Sequence, residues 1–405
     1  MTTVFDKKEN CSGCGVCKAV CNQSAIVMQR DNCGFYYPKI DAKRCISCGK
    51  CRNNCHFINK SVSRNLFEKV YAVQSRDEEV LKKSQSGGAF AELAKSILNS
   101  GGAAYGAAFN DLFGVCHIRI DSVNQLHRLQ GSKYVQSKTE DIFEKVKNDL
   151  DNDLKVLFSG TPCQVAALYS YLGQRRESLY TVDIVCHGVM PPTLWKDYID
   201  RMTDKYGEIA CADFRDKSYG WKSHNETFVI GGQKIKKNVY RKIFYKNILL
   251  RPSCYSIKKD RYITACKYAG TSRVSDITIG DFWGIQSETG VFKNSNLGIS
   301  LCIVNTQSGI RLFERLKQNV IWEQRDISEA SAKQPHLSRS EHGVPIEDVE
   351  TAREMYAKKG FKYIASRYGE SGIRGIYPKG IRFIGHIVNK LLKTTEVKSE
   401  RREKR

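Results

Sequence analysis

Cys11-Ser-Gly-Cys14-Gly-Val-Cys17-Lys-Ala-Val-Cys21 and Cys45-Ile-Ser-Cys48-Gly-Lys-Cys51-Arg-Asn-Asn-Cys55 decide how this chain is to be read. Both runs follow C-x2-C-x2-C-x3-C. Three closely spaced thiolates wrap three iron corners of one cube, and the fourth reaches across to the other cube. The spacing therefore assigns Cys11, Cys14, Cys17 and Cys55 to one 4Fe–4S cluster, and Cys45, Cys48, Cys51 and Cys21 to a second. The fourth cysteine of each run is expected to start a helix. Gly13, Gly15 and Gly49 suit the tight turns around inorganic sulfide, whose charge backbone N–H groups offset. The rival metal is zinc, whose sites mostly use paired cysteine knuckles rather than four cysteines in so short a run. Asn22 and His56 stand where a proline usually follows the fourth cysteine. That costs a helix-positioning residue but no ligand.

Working outward, residues 1–60 read as a bacterial-type two-cluster ferredoxin domain. Two clusters in one small module argue for electron relay, so something downstream must use the electrons. The whole chain has 405 residues, enough for two or three domains with their own cores. Its 41% hydrophobic and 27% charged residues are ordinary for a globular protein and exclude wholesale disorder. The formal charge of +22 treats every cysteine as neutral; clusters held by four thiolates lower it. The remaining excess suits an acidic electron carrier, an acidic substrate or an anionic surface. It is dispersed and accompanies no nucleic-acid motif, so no nucleic-acid partner is expected. Sixteen cysteines without a secretion signal or an apolar run of membrane-spanning length point to a reducing, cytoplasmic setting.

Beyond a polar linker, residues 68–150 and 151–330 read as a mixed α/β body. Val70–Val73 and Ala103–Phe109 look like strands, and Phe90, Leu93, Ala94, Ile97 and Leu98 mark a helix. Ser86-Gly87-Gly88 at its start is either simple capping or an anion site. Gly131-Ser132-Lys133 can also hold a phosphate, although neither a P-loop nor a G-x-G-x-x-G fingerprint is present. Lys155–Ser159 reads as a buried strand, and Gly160-Thr161-Pro162-Cys163-Gln164 turns it into a helix. Tyr180–Val185 followed by Cys186-His187-Gly188 repeats that plan, and Asp276–Gly280 leads into Asp281-Phe282-Trp283-Gly284. Cys163, Cys186, Cys254 and Cys266 lie on separate loops. They are four buried small residues, a lone nucleophile (Cys163, or Cys186 beside His187), or the ligands of a third cluster. Cys33, Cys116, Cys211 and Cys302 read as structural.

In this order the motifs resemble the beta subunits of coenzyme F420-reducing hydrogenases and dehydrogenases and their bacterial relatives, over roughly residues 8–330. The resemblance rests on the paired cysteine runs, Ser86-Gly87-Gly88, Gly131–Ser137, Gly160–Gln164, Cys186–Gly188 and Ser275–Gly284. It implies an α+β and α/β multidomain iron–sulfur flavoprotein with FAD bound outside a Rossmann frame. The flavin contacts it implies are Ser86, Gly87, Gly88, Lys133, Gly160 and Thr161. It also favours a third 4Fe–4S cluster on Cys163, Cys186, Cys254 and Cys266. The family usually has a close C-x2-C pair where this chain separates Cys254 from Cys266 by Tyr255–Ala265. The implied activity moves electrons between a ferredoxin-type donor, the clusters and FAD, and on to a small-molecule acceptor, a deazaflavin or another. Asp281, Lys133 and His187 are candidate polar groups on the substrate side, and no catalytic residue is assigned. The alternative is a subunit that relays electrons to a separate catalytic partner. Residues 331–405 form a basic extension, with a helix over Ala352–Tyr368. Its end is either a frayed tail or a contact with a membrane surface or a partner.

Overall fold

The computed structural model describes residues 3–59, 62–139, 141–223, 225–258, 260–263, 266–285, 290–292, 295–338 and 343–369. The expected basic tail over 373–393 and 398–405 lies outside them.

The first 59 residues pair β1 (Ile26–Arg30) with β2 (Tyr36–Ile40), antiparallel, Ile26 opposite Ile40. Each cysteine run makes one short helix, Val16–Ala19 and Lys50–Asn53. Gly15 and Gly49 cap them at the same place in the two runs, both at φ 76°, where a side chain would be strained. The helix carries the third cysteine of each run, Cys17 or Cys51, and ends before the fourth, so the expected helix start at Cys21 and Cys55 is corrected. The left-handed glycine sets the start of the turn ahead of the third cysteine, earlier than the fourth-cysteine reading placed it.

In chain order the remaining strands are β3 (Lys69–Ser75), β4 (Ala103–Phe109), β5 (Val115–Ile120), β6 (Val156–Gly160), β7 (Leu179–Ile184), β8 (Ile209–Asp213), β9 (Glu226–Ile230), β10 (Gln233–Lys237), β11 (Ser256–Lys258), β12 (Arg261–Ile263), β13 (Ile277–Asp281), β14 (Ser300–Val304), β15 (Val320–Arg325) and β16 (Gly343–Pro345). Eight of them form one sheet in the order β15-β3-β14-β13-β7-β6-β4-β5. Its middle, β4, β6, β7 and β13, is parallel, and the flanking pairs are antiparallel. Strands from 68–150 and from 151–330 interleave in it, so these two segments share a sheet.

The side-chain period of two sorts β6 between two cores. Leu157 packs with helices Ala89–Leu98 and Gln307–Leu316, through Leu93, Ile97, Leu312 and Phe313. Val156 and Phe158 pack on the other face, against helices Ile142–Asp151 and Pro162–Leu172. The second helix has Pro162 in its first turn and a capping box between Thr161 and Gln164. Such a cap stabilises a helix by about 1 kcal/mol. A separate aromatic core joins Trp195, Phe214, Phe228, Tyr240 and Phe244 to Tyr356 and Phe361 of the helix Ile346–Ile364. That helix starts earlier than the sequence suggests and breaks at Gly360, φ 65°, before a turn over Ala365–Gly369.

The N-terminal module is seated on the body by buried polar contacts. Gln136 receives the Tyr36 N–H on Oε1 at 2.9 Å and gives its amide to the Tyr36 and Gly13 carbonyls. A Cβ at Gly13 would lie 2.4 Å from the Tyr36 carbonyl oxygen and 2.3 Å from Gln136 Nε2, so glycine is what lets this backbone lie against Tyr36 and the Gln136 amide. Thr139 Oγ1 donates to the Cys14 carbonyl at 2.8 Å and Ser170 Oγ to the Asn54 carbonyl at 2.6 Å.

Candidate functional site

A cavity of about 610 Å³ opens at the carboxyl ends of the parallel strands. Ser159, Gly160 and Thr161 end β6 there, Ile184 to Val189 follow β7, and Ile279 to Asp281 end β13. Crevices at such strand ends are where open α/β sheets bind ligands, and this size suits a whole cofactor.

Of the residues read from the sequence as flavin contacts, Ser86, Gly88, Lys133, Gly160 and Thr161 line the cavity. Gly87 stands against the sheet instead. A Cβ on it would fall 2.2 Å from the Val73 carbonyl oxygen, and its own carbonyl accepts the Ser75 N–H at 2.7 Å. The loop before helix Ala89–Leu98 is fastened by Lys217, whose Nζ donates to the carbonyls of Leu81 at 2.6 Å, Ser84 at 3.0 Å and Ser86 at 2.7 Å. Burial pushes this amine down, to about 7. The three carbonyl acceptors act the other way, because only the ammonium has three N–H groups to give. Gln130 Nε2 donates to Ser84 Oγ at 3.1 Å, tying this loop to the one that carries Lys133. Lys133 Nζ rests on the Gln130 carbonyl at 2.7 Å, and burial pushes it to about 8. Opposite Gly160 stands His117. Its Nε2 is 3.0 Å from the Ser159 carbonyl and can only donate to it, so Nδ1 accepts from Ser137 at 2.8 Å. Burial lowers His117 to about 4, and the imidazole is neutral.

The far wall is aromatic and charged. Trp221 and Trp283 stack at 4.8 Å, and Arg215 lies 5.0 Å over the Trp283 ring. Asp281 accepts from Arg215 Nη1 and from Trp221 Nε1, both at 2.6 Å. Asp281 was a candidate substrate-side group in the sequence; here it is committed to Arg215 and Trp221.

The cysteines gather into groups. Burial pushes the Cys11 and Cys14 thiols up to about 12, and Cys17 well above its ordinary value. Repulsion among Cys11, Cys14, Cys17 and Cys55 adds to the effect, so the fourth sulfur of the second run joins the first three of the other. Cys51 is raised by burial and then by Cys21 and Cys45. Cys48 is exposed beside Ile46, which is 65% exposed. Cys186 is raised by burial and then by Cys254, Cys163 and Cys266, so the structure brings all four together despite the long interval before Cys266. Thiolate ligation would remove these protons; the Cys11 and Cys186 groups each bring four cysteine sulfurs together, the donor set of a 4Fe–4S cube, and the Cys51 group brings Cys21, Cys45 and Cys51 together. Among the described residues no three His, Cys, Asp or Glu side chains are placed to hold a single metal ion. Cys33, Cys116 and Cys211 line no part of the cavity, and Cys302 is buried in the sheet.

Ser12, Gly13 and Cys14 line one side of the cavity, and Cys186, His187 and Gly188 line another. His56, in the usual proline position, is buried between these regions. Its Nε2 is 3.1 Å from Ser12 Oγ and its Nδ1 is 2.5 Å from the Tyr268 hydroxyl. Lys217, Arg215, Trp221 and His117 carry no signal in the sequence that separates them from surface residues, and His56 stands out there only as a missing proline.

Residues 153–330 match the family described as coenzyme F420 hydrogenase/dehydrogenase, at the C terminus of its beta subunit. Over these residues the chain is similar to the C-terminal region of that beta subunit. A 45-residue stretch is 49% identical to one component of the Na(+)-translocating ferredoxin:NAD(+) oxidoreductase complex of Acetobacterium woodii. That match covers 11% of this chain and 12% of that component, so the chain spans only a small part of the curated relative. A chain from the F420-reducing NiFe hydrogenase complex of Methanosarcina barkeri is similar over 74% of this chain and 90% of its own length, with 15% identity and a TM-score of 0.44. Among the described residues no helix is long and apolar enough to cross a membrane.

Proposed function

We propose that this chain is an iron–sulfur flavoprotein oxidoreductase that connects a one-electron protein donor to a two-electron small-molecule acceptor. Two reduced donors give up one electron each, and the acceptor gains both electrons and one proton; the reverse direction is equally allowed. The observation that carries this reading is that Cys14 and Cys186, from two separate cysteine groups, line one chamber at the strand ends.

In this reading Cys11, Cys14, Cys17 and Cys55 hold the inner cube of the N-terminal module, and Cys45, Cys48, Cys51 and Cys21 the outer one. Cys163, Cys186, Cys254 and Cys266 hold a third. The exposed Cys48 and Ile46 make the outer cube the entry point. Lys39, Lys43, Arg44 and Lys50 around it are exposed and form no ion pair among the described residues, which suits an acidic ferredoxin-type donor. The short likeness to part of a ferredoxin-using complex supports that donor and a multi-subunit setting.

FAD would occupy the cavity and supply the change from single electrons to a pair. Lys133 would offer its cation to a phosphate of the ligand, and the bare backbone at Gly88 and Gly160 would leave space for it. Gly87 holds the loop to the sheet, and Lys217 keeps it in place. Arg215, Asp281 and the stacked tryptophans form a rigid wall that excludes water. His117 fixes the carbonyl of Ser159 and stays neutral.

Oxygen-free purification with iron and flavin analysis tests the cofactors. Turnover of a small-molecule panel with a reduced ferredoxin, and without another protein, tests the enzyme reading. Reduction of the bound cofactors without turnover of any acceptor would instead make the chain a relay to a catalytic partner.

A further inference from the structure

Arg251 is a cation buried among sulfurs. Only 6% of it is exposed, and it lines the cavity beside Cys186 and Cys14. Nε donates to Ser253 Oγ at 2.9 Å, and Nη2 lies 3.6 Å from Cys163 Sγ. Its backbone is fixed on both sides: its N–H reaches the Val189 carbonyl at 3.0 Å and its carbonyl accepts the Cys254 N–H at 2.9 Å. Among the described residues no carboxylate forms an ion pair with it, whereas the buried Arg215 has Asp281 and the buried Arg273 has Asp183. A buried guanidinium stays charged and requires a compensating anion. The groups its charge acts on come from both sides: Cys163 and Cys254 on one, Cys11 and Tyr37 on the other.

We propose that Arg251 is a positioning residue for electron transfer, a counter-charge shared by the centre on Cys163, Cys186, Cys254 and Cys266 and the centre on Cys11, Cys14, Cys17 and Cys55. The inference rests on the cluster reading given above. Reduction adds one negative charge to a centre, and a nearby fixed cation in a poorly screened interior stabilises the reduced form. Removal of the guanidinium therefore lowers both potentials. Because Nη2 touches Cys163, the drop is larger at the centre that contains it. The outer centre, on Cys45, Cys48, Cys51 and Cys21, is outside its reach. The shared charge brings the inner two potentials upward together, easing passage of an electron from the module into the body. Lysine at this position keeps the charge and loses the fork.

The test is a redox titration followed by electron paramagnetic resonance on anaerobic full-length holoprotein, with Arg251→Gln and Arg251→Lys beside the parent chain. Arg251→Gln is expected to shift the reduction equilibrium of the Cys163 centre at least tenfold, 59 mV for one electron, toward the oxidised form. A smaller shift of the same sign is expected at the Cys11 centre and none at the outer centre. Arg251→Lys should retain most of the parent potentials. The proposal is overturned if Arg251→Gln leaves the Cys11 potential unchanged, or moves all three centres equally. It is also overturned if Arg251→Lys shifts as far as Arg251→Gln, because the group would then act by shape. Iron analysis of the parent separates the two ideas. Two cubes instead of three would remove the third-centre reading, while the shift at the Cys11 centre would still decide the role of Arg251. Failure of Arg251→Gln to load a third cube leaves that same shift as the deciding measurement.

Discussion

Asp281→Asn isolates the far wall of the cavity. The change keeps the size of the side chain and removes its charge. In the parent both carboxylate oxygens are in use, one at 2.6 Å from Arg215 Nη1 and one at 2.6 Å from Trp221 Nε1. An amide can accept on one side only, so its NH2 must face a donor on the other. Arg215 is almost wholly buried, and its other bonds go to the neutral carbonyls of Trp221 and Ser223. A unit charge pair at 2.6 Å attracts by about 6 kcal/mol at an effective dielectric constant of 20, before desolvation is subtracted. Breaking a buried pair from one side costs about 3–5 kcal/mol. Asp281 is partly exposed and water can reach the vacancy, which argues for the lower end, about 3 kcal/mol. That is roughly a hundredfold in the ratio of folded to unfolded chain. Urea unfolding of the anaerobic protein, followed by tryptophan fluorescence, reads this directly, because Trp221 and Trp283 belong to the same wall. Arg215→Met combined with Asp281→Asn should be less destabilised than the sum of the two changes. A loss for Asp281→Asn below about 0.5 kcal/mol, the usual range for a surface substitution, would refute the wall as described.

Three further outcomes follow from the geometry. Burial raises Glu226 to about 7, and it accepts from the Tyr198 hydroxyl at 2.8 Å. The folded protein therefore binds a proton that the unfolded chain has already released above about pH 4.5, and stability is lost as pH rises through 7. Glu226→Gln should flatten that slope between about pH 5 and 8, by on the order of 3 kcal/mol, in urea titrations across this range. Gly160→Ala would place a methyl 3.0 Å from Gln164 Oε1 and 3.3 Å from His117 Nε2, so bound flavin per chain should fall while the unfolding midpoint changes little. Lys43→Glu with Lys50→Glu should slow reduction by an acidic ferredoxin about tenfold at low salt, with no effect on reduction by dithionite, in stopped-flow traces.

Local signals were readable. The helix Ala89–Leu98 announces itself by apolar spacing, and Thr161-Pro162 with Gln164 three positions on spells out a capped helix start. Cys21 and Cys55 could be exchanged between the two runs because that pairing follows from spacing alone. The grouping of Cys163, Cys186, Cys254 and Cys266 depends on contacts between loops far apart in the chain, which spacing does not encode. The basic residues show the same limit. Lys217, Arg215 and Arg251 enter the composition as three of 65 cations, indistinguishable from solvated ones until the partners that bury them are seen. His56 reads as a missing proline; its role as a link from Ser12 to Tyr268 exists only once residues 212 apart are brought together.

The seam at Gln136 and Thr139 has an architectural consequence. Because Ser12, Gly13 and Cys14 form part of the cavity lining, the leading segment is masonry, whatever else it carries. Cutting it away would yield a breached vessel rather than a smaller enzyme, with the chamber open to solvent where Gly13 had met Gln136. If electrons enter as proposed, entry and ligand enclosure share one segment, and the chain could not exchange its front end without rebuilding the room behind it.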